Sequence, residues 1–465
     1  MIERITLVEP KNDHLHIFSR FELPRLGGTL LATLMRDKGY RAESLFMRSG
    51  DALARRPATD LVGISTITAT AKSAYDLGDA YREKGIPVVF GGPHASFLPE
   101  EALLHGDFCI TGEGERSLPL LVEALNGKGC LSDVPGLVWK EGDTIRRTPP
   151  APPIEDLDTL PFPDFSLLDM GGRTRMGHPG GRETIPIQTS RGCPFDCTFC
   201  SVTGMFGRRY RYRSTASVIA ELSRYDPKRQ EIFFYDDNFA ANPRRTKELL
   251  REMIRQKLGF PWTTQVRSDI ARDPEMLDLM ARAGCTALYI GFESVDPSAL
   301  EEMKKNQTVE EIRTSIREIR KRKIHVHGMF VFGFDSDTPA TTRATVSFAL
   351  KEKIDSAQFL LLTPLPGSGF YERMLSEGRL TDTRWDTYDA HHVHFRPARL
   401  SPWELQLAQI EAHTRFYSPL QVLRRLFRGR ITGFVIGIYA NALNRRWLRL
   451  ERGYLRFLRS SPAGA

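Results

Sequence analysis

Cysteine is scarce in this 465-residue chain, with six in all, and three of them belong to no pattern. Cys109, Cys130 and Cys285 are scattered, which excludes the disulfide framework that small secreted domains rely on. A reducing, cytoplasmic setting is expected. Long apolar runs are lacking as well. None reaches the roughly 18 residues that cross a bilayer, and the nearest candidate, 431–440, is too short and is flanked by arginines. The opening residues, MIERITLVE, carry neither the apolar core nor the small-residue cleavage site of a secretory signal and read as a first strand. No recognisable nucleic-acid module accompanies the net charge of +8, so no nucleic-acid partner is expected. At 41% hydrophobic and 26% charged, the composition is that of a globular enzyme large enough for two or three domains.

What is present is alternation. Apolar runs at 5–8, 60–65, 87–90 and 108–111 read as strands, and helical patterns cover 27–38, 69–83 and 118–126. Strand and helix in turn build a doubly wound, Rossmann-like α/β sheet, whose ligands bind at the carboxyl ends of the strands. Those ends carry Ser65-Thr66-Ile67-Thr68, Gly91-Gly92-Pro93-His94 and Gly112-Glu113-Gly114-Glu115. Glycines there let backbone approach a ligand, although tight turns use them too. A second alternation places strands at 185–189, 231–235, 262–266, 286–291, 325–332 and 356–362. Helices are predicted between them at 216–225, 244–257, 274–283, 309–322 and 340–352, giving six βα units and a partial (βα)6 TIM-type barrel. The expected division is 1–145 for the first domain, 146–182 for a Pro- and Gly-rich linker, 183–370 for the barrel and 371–465 for a mostly helical accessory region. Within the linker, 171–182 reads as a basic flap.

The other three cysteines, Cys193, Cys197 and Cys200, share one short loop with C-x3-C-x2-C spacing, directly after the first barrel strand. Thiolates suit iron–sulfur sites, and three ligands on a four-iron cluster leave one iron open. A closed zinc site is the rival, but no fourth Cys or His follows at finger-like spacing.

This loop resembles the signature of the radical S-adenosylmethionine (SAM) enzymes. The segments around Ser65, Gly91-Gly92 and 116–125 resemble the cobalamin-binding domain that precedes the barrel in one large class of that family. The resemblance implies a [4Fe-4S] cluster on Cys193, Cys197 and Cys200, with SAM chelated to the open iron. Around SAM it implies Phe199, Asp236, Asp237, Arg267, Glu293, Phe332, Gly333 and Pro364, each near the cluster or at a barrel strand end. Asp236 and Asp237 stand where many relatives carry Gly-Gly-Glu. For cobalamin it implies Ser65, Thr66, Gly91, Gly92, Pro93, Gly112, Glu113 and Gly114. The D-x-H-x-x-G element that supplies a lower cobalt ligand is missing, and Asp13-His14-Leu15-His16 has the wrong spacing for it. The implied activity is methyl transfer to an unactivated carbon through a 5'-deoxyadenosyl radical and methylcobalamin, with a flavodoxin or ferredoxin as electron donor. Two alternatives stay open: radical ring formation, rearrangement or carbon–carbon coupling without methyl transfer, and a non-catalytic iron–sulfur or nucleotide-binding sensor.

Three further segments stand out. Gly207-Arg208-Arg209-Tyr210-Arg211-Tyr212-Arg213-Ser214 reads either as an anion contact or as a solvated face. His391, His392 and His394 lie in a W-x-x-Y-D-x-x-H segment that resembles the accessory domain of cobalamin-type relatives; it reads as a substrate-facing cap rather than a metal site, since its histidines lack helical i, i+4 spacing. The last fifty residues alternate arginines with large apolar side chains and read either as packed on the catalytic domains or as a peripheral contact with the membrane near a lipid or other hydrophobic substrate.

Overall fold

The computed structural model describes residues 1–12, 14, 23–55, 58–171, 176–177, 181–427 and 431–460. Most of the 171–182 flap, Arg428 and Arg430 of the tail, and Asp13, Leu15 and His16 lie outside the described residues.

The first sheet is built from β1 (Arg4–Pro10), β2 (Arg41–Met47), β3 (Leu61–Ser65), β4 (Val88–Gly91), β5 (Phe108–Ile110), β6 (Leu137–Glu141), β7 (Thr144–Arg147) and β8 (Leu168–Asp169). Its spatial order is β7-β6-β5-β4-β3-β1-β2-β8. Strands β8 to β5 run parallel, and the β6–β7 hairpin is antiparallel at one edge. The 2-1-3-4-5 order puts the reversal of strand order between β1 and β3, which in an open α/β sheet fixes where a ligand crevice opens. β1 and β3 are buried almost throughout, as strands covered by helices on both faces must be. Four strands of this sheet, β2, β6, β7 and β8, have no counterpart among those read from the sequence. β2, RAESLFM, is polar in its first half and buried only from Ser44, so it shows neither alternation nor a continuous apolar run. β7 is exposed along its whole length.

The second half contains β9 (Glu183–Ile187), the two-residue pair β10 (Ser190–Arg191) and β11 (Arg211–Tyr212), then β12 (Gln230–Phe234), β13 (Trp262–Val266), β14 (Cys285–Glu293), β15 (His325–Phe332) and β16 (Ser356–Leu361). β9, β12, β13, β14, β15 and β16 form one parallel sheet in sequence order. β9 and β16 are its two edges and no closed barrel forms among the described residues, which is the open (βα)6 arc expected. Helices between these strands start on strong local signals. Asn242, Asp273 and Thr338 each accept a hydrogen bond from a first-turn N–H, and each is followed by proline at the first helical position.

The largest core runs through the arc and onto the helix Pro402–Phe416. A second core, under the first sheet, is completed by Tyr371, Trp385 and Tyr388 from far downstream. The W-x-x-Y-D-x-x-H segment is therefore a strut against the first domain, with Trp385 Nε1 donating to Glu101 Oε1 at 2.8 Å. His391, His392 and His394 are all buried, which corrects the expectation of a substrate-facing cap for these side chains.

Candidate active site

The two sheets face each other across one cavity of about 360 Å³, or about 1510 Å³ when the space out to its open mouth is included. One wall is the carboxyl edge of the first sheet. Ser65, Gly91, Gly92, Pro93, Gly112, Glu113 and Gly114 all line it, joined by Gly27 and Gly28 of the helix Leu26–Asp37. The opposite wall is Gln188, Arg191, Met205, Phe206, Tyr235 and Asp237 from the second half. At Gly27 and Gly112 no protein atom lies within 4 Å of where a Cβ would stand, so a side chain at either would fill the cradle. Gly92 is required for another reason: at φ +87°, a Cβ would fall 2.6 Å from the Thr66 carbonyl oxygen.

Thr66 is a correction. It is fully buried, donates to the Gly91 carbonyl at 2.9 Å and accepts from Ala95 N at 3.1 Å, so it braces the glycine turn from behind and does not line the cavity. Glu113 lines the cavity, but its carboxylate is engaged. Arg191 Nη1 lies 3.0 Å from Oε1, Arg211 Nη1 donates to Oε2 at 2.9 Å, and Ile154 N donates to Oε2 at 2.7 Å. Arg191 also reaches Glu115 at 2.6 Å. Burial pushes the Glu113 carboxyl up, and Arg211 with Arg191 more than reverses that, leaving it below its ordinary value. Arg211 and Arg213, read from sequence as an anion contact or a solvated face, are thus buried clamps on the protein's own carboxylates, Arg213 pairing with Glu221. Arg25 was missed in the sequence. It lines the cavity, donates to the Ser65 carbonyl at 3.1 Å and pairs with buried Glu9.

Among the described residues no histidine lines the cavity, and His94, nearest in sequence, is turned away toward Thr68, Glu101 and Trp385.

The cysteine loop leaves β10 at the edge of this cavity, immediately after Arg191. Gly192, at φ +85°, is needed there because a Cβ would meet the Arg209 carbonyl oxygen at 2.4 Å. Cys193, Cys197 and Cys200 are half-buried free thiols. Burial raises Cys193 and pushes Cys200 up to about 12, so a positive partner favours the thiolate form of these two. The Arg267 guanidinium stacks on the Phe195 ring at 3.7 Å, with Nη1 3.9 Å from Cys197 Sγ. Phe199 packs against the core and edge-on to Phe334 at 6.5 Å.

The remaining strand-end residues separate into two groups. Asp236 is fully buried and accepts from Thr189 N and Oγ1, both at 2.9 Å, and from Ser190 N at 2.5 Å and Oγ at 2.7 Å. It holds the root of the cysteine loop and is not free to take a ligand ammonium, a second correction. Phe332 is a third. Its ring is in the core against Phe359, and its carbonyl accepts from Leu362 N. Asp237 does open onto the cavity, while the surrounding protein and the charge on Asp236 push it up to about 6. Glu293 sits at a bulge in β14 with φ +60°, paired with Lys305 Nζ at 2.7 Å. Gly333, at φ +119°, donates its N–H to Asp337, and Pro364 is buried behind the end of β16.

Comparison with known proteins bears on this geometry. Residues 187–349 match the model of the radical SAM superfamily, and residues 18–122 match that of the B12 binding domain. An uncharacterized methyltransferase of Pyrococcus horikoshii is 31% identical over 427 residues, covering 89% of this chain and 92% of its own. The chain belongs to the radical SAM superfamily. As a radical SAM enzyme with a B12-binding domain, it has a [4Fe-4S] cluster, SAM and cobalamin as its cofactors. The bacteriochlorophyllide d C-12(1)-methyltransferase of Chlorobaculum tepidum is 29% identical, covering 90% of this radical SAM chain and 88% of its own. Among solved structures, the radical SAM methyltransferase TsrM from Kitasatospora setae, with cobalamin and a [4Fe-4S] cluster, superposes with a TM-score of 0.66 at 22% identity, covering 81% of this chain and 75% of that one, and so shares its fold.

Proposed function

We propose that this radical SAM methyltransferase transfers a methyl group to an unactivated carbon of a small hydrophobic molecule or lipid, and that it does so at the cavity between its two sheets. The observation that carries the reading is the shared wall. The glycine cradle of the first domain and Gln188, Tyr235 and Asp237 of the second half line the same space, and Arg191, which also lines it, stands two residues before Cys193. Cys193, Cys197 and Cys200 would hold the cluster; Phe199, Asp237, Arg267, Glu293, Gly333 and Pro364 are assigned to SAM. Ser65, Gly91, Gly92, Pro93, Gly112 and Gly114 would hold cobalamin through backbone, with Glu113 fixing the wall. The chemistry those groups supply when bound is one-electron cleavage of a carbon–sulfur bond and carriage of a methyl group. The chain's own part is placement. Asp236 anchors the loop, Arg267 sets its guanidinium beside Cys197, and the mostly apolar lining excludes water.

The tail supports peripheral contact with a lipid surface. No helix among the described residues is long and apolar enough to cross a membrane. Yet Ile431, Val435 and Ile438, spaced i, i+4, i+7 on the helix Ile431–Leu450, are all exposed, as are Leu420, Leu423 and Phe427 on the preceding helix. Arg445, Arg446 and Arg449 follow on the longer helix and complement an anionic bilayer. An electron donor of the flavodoxin or ferredoxin class is assigned to the face where Arg208 and Arg209 stand exposed beside the cysteine loop.

Anaerobic purification with iron and corrinoid spectroscopy, followed by mass spectrometry of SAM products, tests the function. Wild type should yield S-adenosylhomocysteine beside deoxyadenosine, and Cys197→Ala should yield neither radical cleavage nor full iron loading. Deoxyadenosine alone, in the presence of substrate and bound corrinoid, would move the enzyme to radical chemistry without methyl transfer.

A further inference from the structure

Far along the chain from the cysteine loop, three ligand-type side chains from distant parts of the sequence converge. His14 lies beyond the end of β1, His392 lies in the strut segment, and Glu451 lies at the junction of the helices Ile431–Leu450 and Arg452–Ser460. One ligand atom from each falls within 4.8 Å of the others. His14 Nδ1 is 3.7 Å from Glu451 Oε1, and His392 Nε2 is 3.5 Å from Glu451 Oε2. Around a tetrahedral zinc with ligands at 2.0–2.1 Å, neighbouring ligand atoms stand about 3.3 Å apart. The two histidine–carboxylate separations exceed that by only a few tenths of an ångström, and the third pair stands within 4.8 Å.

The second nitrogen of each ring points at a carboxylate. His392 Nδ1 is 2.9 Å from Asp389 Oδ1, and His14 Nε2 is 3.5 Å from Asp386 Oδ2. Metal-binding histidines are oriented in this way, since a carboxylate behind the ring fixes the tautomer and leaves the lone pair of the other nitrogen facing the ion. His392 Nε2 is buried, has no well-formed hydrogen bond and stands 3.5 Å from Glu451 Oε2, at the centre of the cluster. Among the described residues the surroundings are acidic, with Asp386, Asp389 and Glu451 around the two rings and Lys72 3.8 Å from Asp386. Asp382, nearby, is taken up by Arg384 and His394. Trp447 and Tyr454 pack on the His392 ring, giving the site a hydrophobic shell, and partly exposed His14 leaves a side open for a water as fourth ligand.

We propose that His14, His392 and Glu451 bind a divalent metal of the zinc class, separate from the cysteine loop, that staples the start of the first domain to the strut and the C-terminal helices. Two imidazoles and a carboxylate suit zinc, whereas the thiolates of Cys193, Cys197 and Cys200 suit iron–sulfur chemistry. The sequence hid the site because its ligands come from positions 14, 392 and 451, and because His391 and His394, the neighbours that drew notice, are engaged elsewhere with Gln409 and Asp382.

The test uses the full-length chain with zinc or cobalt(II) alone as probe. After equilibration and removal of weakly held metal, wild type should retain about one zinc per chain, and so should a Cys193→Ala, Cys197→Ala, Cys200→Ala triple variant. His392→Ala and Glu451→Gln should lose it while iron loading of the cysteine loop is unchanged. Glu451 is partly exposed, so Glu451→Gln keeps the fold if His392→Ala does not. Cobalt(II) in the triple variant should give tetrahedral d–d bands without a thiolate charge-transfer band. Zinc should raise the melting temperature of wild type and not of Glu451→Gln. Equal zinc retention by wild type and Glu451→Gln, or loss of zinc in the cysteine variant, overturns the proposal, as does failure of wild type to bind either metal. In that last case the cluster is a network of ion pairs between charged histidines and carboxylates.

Discussion

Asp236 shows how a single side chain can serve a site without touching what is bound there. Its four hydrogen bonds all run to Thr189 and Ser190, the residues from which the cysteine loop departs. Burial raises its pKa, with Arg245 and the surrounding donors opposing. Asp236→Asn would keep an oxygen on the two backbone N–H groups but turn an NH2 toward the Thr189 hydroxyl, which already accepts from Arg245, and remove the charge that faces the buried Arg245 guanidinium, and should destabilise the fold by about 3 kcal/mol. Urea unfolding of the apo chain measures this, and iron loading should fall with it. Two buried histidines set the acid limit of the same half of the molecule. Burial pulls His327 and His413 down to about 4 from an ordinary 6.5. The unfolded chain therefore takes up protons before the folded one does. Stability is whole above pH 6.5 and is lost as pH falls toward 4, at about 1.4 kcal/mol per unit for each group. His413→Gln, which can still accept from Phe359 N, should flatten the fall in urea midpoint across that window. At this scale, chemistry by residue type was legible in the sequence and its assignment was not. Nothing in Asp236-Asp237 says which carboxylate turns inward; only the register of β12 against β9 decides it.

At the scale of elements, the six barrel strands were legible because each is an apolar or β-branched run set between helical patterns. β2 and the β6–β7 hairpin were not, since an edge or half-polar strand has no periodicity that a single sequence can reveal. The tail belongs at this scale too, and it has one packed face and one exposed face. Leu443 and Trp447 are buried against the protein while Val435 and Ile438 face outward. Truncation would damage the packed face, so the outward face is best tested by substitution. Val435→Asp with Ile438→Asp should leave the melting temperature unchanged and reduce flotation with phosphatidylglycerol vesicles about tenfold or more. Equal flotation of variant and wild type would exclude a lipid contact through this helix.

The whole molecule depends on contacts that cross between its halves, and these were invisible in sequence. Glu113 meets Arg191 and Arg211, 78 and 98 residues downstream, and glycine spacing around Glu113 gives no hint of either. Glu113→Ala would leave two buried guanidiniums without their shared carboxylate. A cost of about 3–5 kcal/mol is expected, with the cavity opened to solvent. Limited proteolysis between the two halves and loss of corrinoid on gel filtration would report it, whereas unchanged retention would show that the clamp is not part of the cradle. The same clamp bears on how the enzyme is assembled. Arg191 is one residue from Gly192 and two from Cys193, so the wall of the proposed cobalamin cradle and the first cysteine of the proposed cluster loop share a short length of backbone. If filling one compartment orders the anchor of the other, then by reciprocity the gain in affinity passes equally in both directions. Maturation is then a matter of order and timing: a chain that acquires its corrinoid early presents a better-formed seat to the iron–sulfur assembly machinery, and one stripped of iron should also let go of its vitamin.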